Sequence, residues 1–204
     1  MKWMKNILSV FLCCSVVYIN NVQAQDKGKQ AFDDVCRACH QINGFGIQEM
    51  KAPAIAGLPR WYVSHQLRQF ASGQRGGSAA DKSGQLMTKM VQGLDDVTIS
   101  LLGRYIQKQL PAMTQRRTMP RVAKRDINKG QSLFNKNCQS CHGTEAVGQR
   151  NKLAPPLNVQ QDWYLLLQIE KFTIGARKHP VIGKKINLDY PSYTKISAYL
   201  TSLN

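Results

Sequence analysis

This 204-residue sequence is short of acid and, once its N-terminal apolar stretch is set aside, has no cysteine to spare. Twelve Asp and Glu stand against 28 Lys and Arg, a formal charge of +16. Of six cysteines, Cys13 and Cys14 lie in the N-terminal apolar stretch. The other four belong to two copies of one motif, so none remains for a disulfide framework. No segment beyond Ala24 is long and apolar enough to span a bilayer. No region sustains the alternation of apolar and polar residues that a strand needs, which points to an all-α chain. Nothing resembles a nucleophilic triad, a phosphate-binding loop or a carboxylate pair, and the expectation is that the chain is not an enzyme. Basic residues are not interleaved with aromatics in a recognition pattern, so no nucleic acid is expected as a partner.

What is present is a motif used twice. Cys36-Arg37-Ala38-Cys39-His40 and Cys138-Gln139-Ser140-Cys141-His142 stand at a spacing of 102 residues. Cys-x-x-Cys-His reads as a c-type haem attachment site. The two thiols form thioethers to the porphyrin edge, and the adjacent His places an imidazole nitrogen on the iron. A thioredoxin-like pair or a zinc site would use the thiols but leave both histidines unexplained. Two covalently bound haem c groups are therefore expected, on Cys36 and Cys39 and on Cys138 and Cys141. His40 and His142 are the expected iron ligands, and the chemistry is electron transfer.

The N-terminus reads as a signal peptide over 1–24. Lys2 and Lys5 give a positive start, Ile7 to Val17 is mostly apolar, and Val22-Gln23-Ala24 offers a small-residue cleavage site. Export to the periplasm suits the motif, because bacteria attach c-type haem outside the cytoplasm. An uncleaved anchor and a lipid on Cys13 stay open as membrane-associated alternatives. Removing Lys2 and Lys5 with the leader lowers the charge from +16 to +14, and ionised propionates on two haems would lower it toward about +10. A surface this basic suits redox proteins with an acidic docking face, or an anionic membrane.

The second half repeats the first. At the same offset Gly28 matches Gly130, Phe32 matches Phe134, Pro53 matches Pro155, and Trp61-Tyr62 matches Trp163-Tyr164. Gln66, Phe70, Gly73 and Arg75 match Gln168, Phe172, Gly175 and Arg177. This is an internal duplication. Near the C-termini the offset falls to 94, where Tyr105-Ile106 matches Tyr199-Leu200. The second copy has lost about eight residues before its last helix. Helices are expected over 27–38, 60–72 and 96–109, and again over 129–140, 162–174 and 191–203. Asp95 or Asp96 and Asp189 are candidate caps. The expected units are a first domain at 25–110, a basic linker at 111–125 and a second domain at 126–204.

The paired motifs, the proline after each, and Trp61-Tyr62…Gln66-Leu67…Phe70…Gly73-Gln74-Arg75 with its repeat resemble the di-haem cytochrome c4 family over nearly the whole mature chain. The resemblance implies tandem cytochrome c-like domains of class I facing each other across a pseudo-twofold axis. It implies a periplasmic carrier in a respiratory chain, delivering to a terminal oxidase or accepting from a dehydrogenase, in some relatives as that enzyme's subunit. It also implies a distal methionine just upstream of each final helix. Met87, seven residues before Leu94, fits that position better than Met90. Thioether sulfur is a soft neutral ligand that raises potential relative to a second imidazole.

The second half has no methionine at all; the last in the chain is Met119, and aligning the final helices puts Val181 at the ligand position. Three readings stay open. His179 coordinates and gives a bis-imidazole iron, the lower-potential partner of a relay. The iron is open or water-bound, which would permit an enzyme or small-ligand sensor. Or Lys178, Lys184, Lys185 or Asn187 binds. His65, whose counterpart is Leu167, reads as a packing or surface residue. Pro53 and Pro155 are expected to accept the ring N–H of the proximal histidines. Arg75 and Arg177 are expected to neutralise propionates or to cap the domain interface.

Overall fold

A computed structural model describes residues 27–109, 124–179 and 188–203. The expected signal peptide, most of the expected linker, and Val181, Lys184, Lys185 and Asn187 lie outside them. Among the described residues the fold is helical, and the only strand pairing is two isolated bridges.

The first half begins with helical residues 27–40 (α1). Its centre, Phe32–Cys36, is wound as a π-helix, and Arg37–His40 closes it. A π-turn takes in one extra residue and re-aims the chain beyond it, here the first haem motif. Then come α2 (Arg60–Ala71), α3 (Lys82–Val91) and α4 (Asp96–Gln109). The second half comprises α5 (Lys124–Asn137), α6 (Gln139–His142), a 3₁₀ turn (Arg150–Lys152), α7 (Asp162–Ile174) and α8 (Tyr190–Ser202). Two features differ from the sequence expectation. α5 begins at Lys124, so Lys124 and Arg125, expected at the end of the linker, are helical. α3 was not expected; it starts because the Asp81 carboxylate accepts the Gly84 N–H at 2.9 Å, satisfying an amide that the helix leaves unpaired. The other caps are Asp95, which accepts from the Thr98 N–H at 2.7 Å, and Asp189, which accepts from the Ser192 N–H at 3.0 Å.

In each half the first helix crosses the last at a glycine. A Cβ on Gly28 would meet the Leu101 carbonyl oxygen at 2.8 Å, and one on Gly130 would press still closer to that of Lys195. Leu101 and Lys195 are related by the offset of 94, so the fold carries both offsets seen in the sequence. Phe32 and Phe134, both fully buried, lie under these crossings. Their ring centroids are 5.3 Å from Tyr105 and 5.5 Å from Tyr199. Truncating either phenylalanine to alanine would cost about 3–5 kcal/mol.

The loop after each haem motif is the same tight device. Gly46 N–H donates to the His40 carbonyl at 3.0 Å, and Gly148 N–H donates to that of His142 at 2.9 Å. The isolated bridges Ile47–Ala52 and Gln149–Ala154 close the two loops. Gly46 and Gly148 have φ of 77° and 82°, a left-handed conformation that favours glycine. Each loop thus returns a proline carbonyl to the histidine that precedes it.

Candidate haem sites

The two proximal histidines are buried and held alike. His40 Nδ1 lies 2.8 Å from the Pro53 carbonyl oxygen, and His142 Nδ1 lies 2.9 Å from that of Pro155. A carbonyl can only accept, so each Nδ1 carries the proton and each Nε2 keeps its lone pair for a metal. Burial lowers both pKa values, opposed by the proline bond, and the rings stay neutral. Pro156, adjacent to Pro155, does not take this role. Burial, then the neighbouring Cys39, pushes the Cys36 thiol up to about 12; burial, then Cys141, pushes Cys138 up to about 11. An environment that opposes thiolates suits neutral thioethers and disfavours a thiolate-bound metal.

Cys36, Cys39 and His40 open onto a cleft of ≈ 1210 Å³, part of it open to solvent. Ile55, Leu67, Phe70, Met87 and Val91 line its apolar wall. Met87 packs against the buried core of the first half, whereas Met90, also at the cleft, is more exposed. α3 thus puts Met87 on the wall and turns Met90 toward solvent. In the second half His179 is half-buried, its ring centroid 6.3 Å from that of His142 and 5.1 Å from that of Phe172. Lys178 is exposed. His65 is half-buried on α2 and does not line the cleft.

Between the halves Arg75 and Arg177 form a crossed lattice. Arg75 donates to Gln66 of its own half at 2.5 Å, and to Tyr164 Oη at 2.6 Å and Gln168 at 3.4 Å in the other. Arg177 donates to Gln168 at 2.5 Å and to Gln66 at 3.0 Å. Each glutamine oxygen therefore accepts from both arginines. Each guanidinium also lies over a phenylalanine ring, Arg75 at 4.3 Å from the Phe70 centroid and Arg177 at 4.8 Å from that of Phe172. Burial alone would raise the Tyr164 pKa, but the two arginine charges outweigh it and hold the phenol below its ordinary value.

Two further contacts join the halves, and neither was expected from the sequence. Lys171 of α7 donates to Asp81 at 2.5 Å and to Ser83 at 2.7 Å. Burial would raise Asp81, but Lys171, the Gly84 N–H and Arg75 together hold it below the usual carboxylate range. Gln160 Nε2 donates to the Ala54 carbonyl, and Gln161 accepts the Ala54 N–H while donating to the Phe45 carbonyl. The second half thus grips the loop directly behind Pro53. The sequence held one signal: Lys171 stands where the repeat partner is Gln69, and Gln160 and Gln161 stand where the partners are Leu58 and Pro59.

At this seam Asp81 is engaged by Lys171, while Arg75 and Arg177 are met only by neutral oxygens in the bonds described above. The Arg75 Nε is buried without a partner. Paired neutral imidazoles, an apolar cleft and surplus buried cation fit a flat apolar group that bears carboxylates, as haem does.

The Cytochrome c family model matches residues 25–109 and 127–203. The chain is 27% identical to cytochrome c4 of Azotobacter vinelandii, over 89% of each chain. It is 32% identical to the thiosulfate dehydrogenase electron acceptor of Thiomonas intermedia (strain K12), over 72% of this chain and 67% of that one. The fold matches the cytochrome c4 structure of Acidithiobacillus ferrooxidans with a TM-score of 0.67 at 24% identity, covering 83% of this chain and 99% of that one.

Proposed function

The chain belongs to the cytochrome c family, in a di-haem cytochrome c4-like form that serves electron transfer, and we propose that it is a periplasmic relay between respiratory partners. The observation that carries this reading is the repeated proximal device, a Cys-x-x-Cys-His whose His Nδ1 is tied to a proline carbonyl at 2.8 Å in one half and 2.9 Å in the other.

When bound, each haem supplies an iron that takes up one electron and returns it. Cys36 and Cys39 tether one group and Cys138 and Cys141 the other. His40 and His142 present fixed Nε2 lone pairs, and Pro53 and Pro155 set their tautomer and direction. Met87 stands across the first cleft as the soft neutral ligand that favours the reduced state. Arg75 and Arg177 offset propionate charge at the seam. The apolar wall of the first cleft would keep most water from a bound haem and so limit the solvent reorganisation that accompanies charge movement. Among the described residues no helix is long and apolar enough to cross a membrane. The basic surface is the docking face for an acidic redox partner.

The likeness to a thiosulfate dehydrogenase electron acceptor favours a dehydrogenase as donor, with a terminal oxidase or its carrier downstream. Purified from a strain that attaches haem c, the protein should carry two haems by pyridine haemochrome assay. It should also titrate in two reversible one-electron steps. Reduction by an acidic-faced donor should slow as ionic strength rises. One haem per chain, or reduction indifferent to salt, would count against the relay or its docking face respectively.

A further inference from the structure

Resting on the relay reading above, we propose that His179 is the distal ligand of the second iron, closing it as a bis-imidazole centre with crossed rings. Geometry carries the argument. A metal–imidazole bond of about 2.0–2.1 Å, with about 1.1 Å from nitrogen to ring centre, puts two rings that share one iron about 6.3 Å apart. The His142 and His179 centroids are 6.3 Å apart, with planes at 71°. Edge-to-face rings in plain contact also span this distance, so the free valences of the two rings decide between contact and a shared iron.

The free valences agree. His142 spends Nδ1 on the Pro155 carbonyl, which leaves Nε2 for the iron. His179 Nδ1 is buried with no hydrogen-bond partner. A buried polar atom without a partner asks for a missing one, and a metal ion is a partner that a neutral imidazole can satisfy.

The ring is also held. Phe172 meets it edge-on at 5.1 Å with planes at 64°, and Phe172 is itself covered by Arg177. His179 lies two residues beyond Arg177, so the arginine at the seam fixes where the ligand segment leaves α7. In the first half the residue matching His179 is Gly77, and Met87 serves instead. The duplication has thus kept one proximal design and taken its two distal ligands from different places in the repeat.

Crossed imidazole planes leave the iron orbitals that π-bond to them nearly degenerate. The oxidised centre should therefore give a low-spin EPR signal of unusually large anisotropy, distinct from the His–Met signal of the first iron. Low-temperature EPR of the oxidised two-haem protein tests this, with His179→Ala and His179→Met beside the wild type. In His179→Ala the anisotropic signal should vanish and about half of the iron should turn high-spin, with added imidazole restoring a low-spin state. In His179→Met both irons should stay low-spin while the lower potential rises. Three results would overturn the assignment: a high-spin signal already in the wild type, a second signal untouched by His179→Ala, or a rhombic second signal typical of parallel rings. A chain with fewer than two haems by pyridine haemochrome would instead sink the relay reading itself, and that count is independent of His179.

Discussion

The two halves share a scaffold and part company on one side of it. Proximal features recur almost atom for atom: the glycine crossing, the Phe–Tyr contact, the tight glycine loop, the His–Pro bond. Distal features do not. The first half builds α3 and hangs Met87 on it, while the second has lost about eight residues there and brings His179 near His142 instead. Proximal geometry is fixed by backbone, through two glycines and a carbonyl, so few substitutions are tolerated. On the distal side the two halves offer different side chains from different settings, Met87 on a helix and His179 beyond one, so that side can change while the proximal scaffold stays. A duplicated cytochrome is thus free to separate its two potentials while keeping one fold.

Haem loss should break the comparison most strongly. Cys36→Ala with Cys39→Ala, and separately Cys138→Ala with Cys141→Ala, should each remove one of the two haems by pyridine haemochrome and leave one redox step. Next, Met87→His makes the first half imitate the proposed second. It should lower the higher potential by on the order of 100 mV, well within the roughly 0.8 V that axial ligands span, and draw the two titration steps together. At the seam, Lys171→Met leaves Asp81 buried without its cation and should cost about 3–5 kcal/mol in denaturant unfolding. Adding Asp81→Asn, which keeps the cap on α3, should recover part of that.

The same pair predicts an acid limit. Asp81 has its folded pKa lowered, so its contribution is fully present above the unfolded value of about 3.9 and is lost as pH falls through the folded one. Acid unfolding below about pH 4 should therefore be steeper in the wild type than in Asp81→Asn. The smallest effects are expected at the helix crossings. Gly130→Ala should cost about 1–3 kcal/mol by overpacking and exceed Gly28→Ala, because its added methyl group would press closer to the facing backbone. Thermal melts of the two variants would rank them.

Much of the repeated part of this picture was legible in the sequence. Cys-x-x-Cys-His points to its chemistry, Gly28 and Gly130 fall in register in the repeat, and the change of offset is the one that the paired contacts of Leu101 and Lys195 then display. Asp189 as a cap was readable for the same local reason. α3 was not, although Leu86, Met87, Met90 and Val91 recur at helical spacing, because the helix is short and its start depends on one carboxylate. The Lys171–Asp81 pair was also hidden, since its members stand 90 residues apart and nothing local distinguishes a buried lysine from a solvated one. Arg75 and Arg177 were read as interface or propionate residues. Their exchange of glutamine acceptors across the seam is a three-dimensional fact with no trace in spacing.

That exchange bears on how the molecule is made. Two guanidiniums, drawn together over shared neutral acceptors, repel each other, and Asp81, already bonded to Lys171, offsets only part of that. A chain still waiting for its cofactors should leave its halves ajar and its seam open to proteases, and only a fully loaded chain should shut. The joint between the domains then acts as an inspector of maturation, and chains lacking one haem should be cut there faster than complete ones in limited proteolysis.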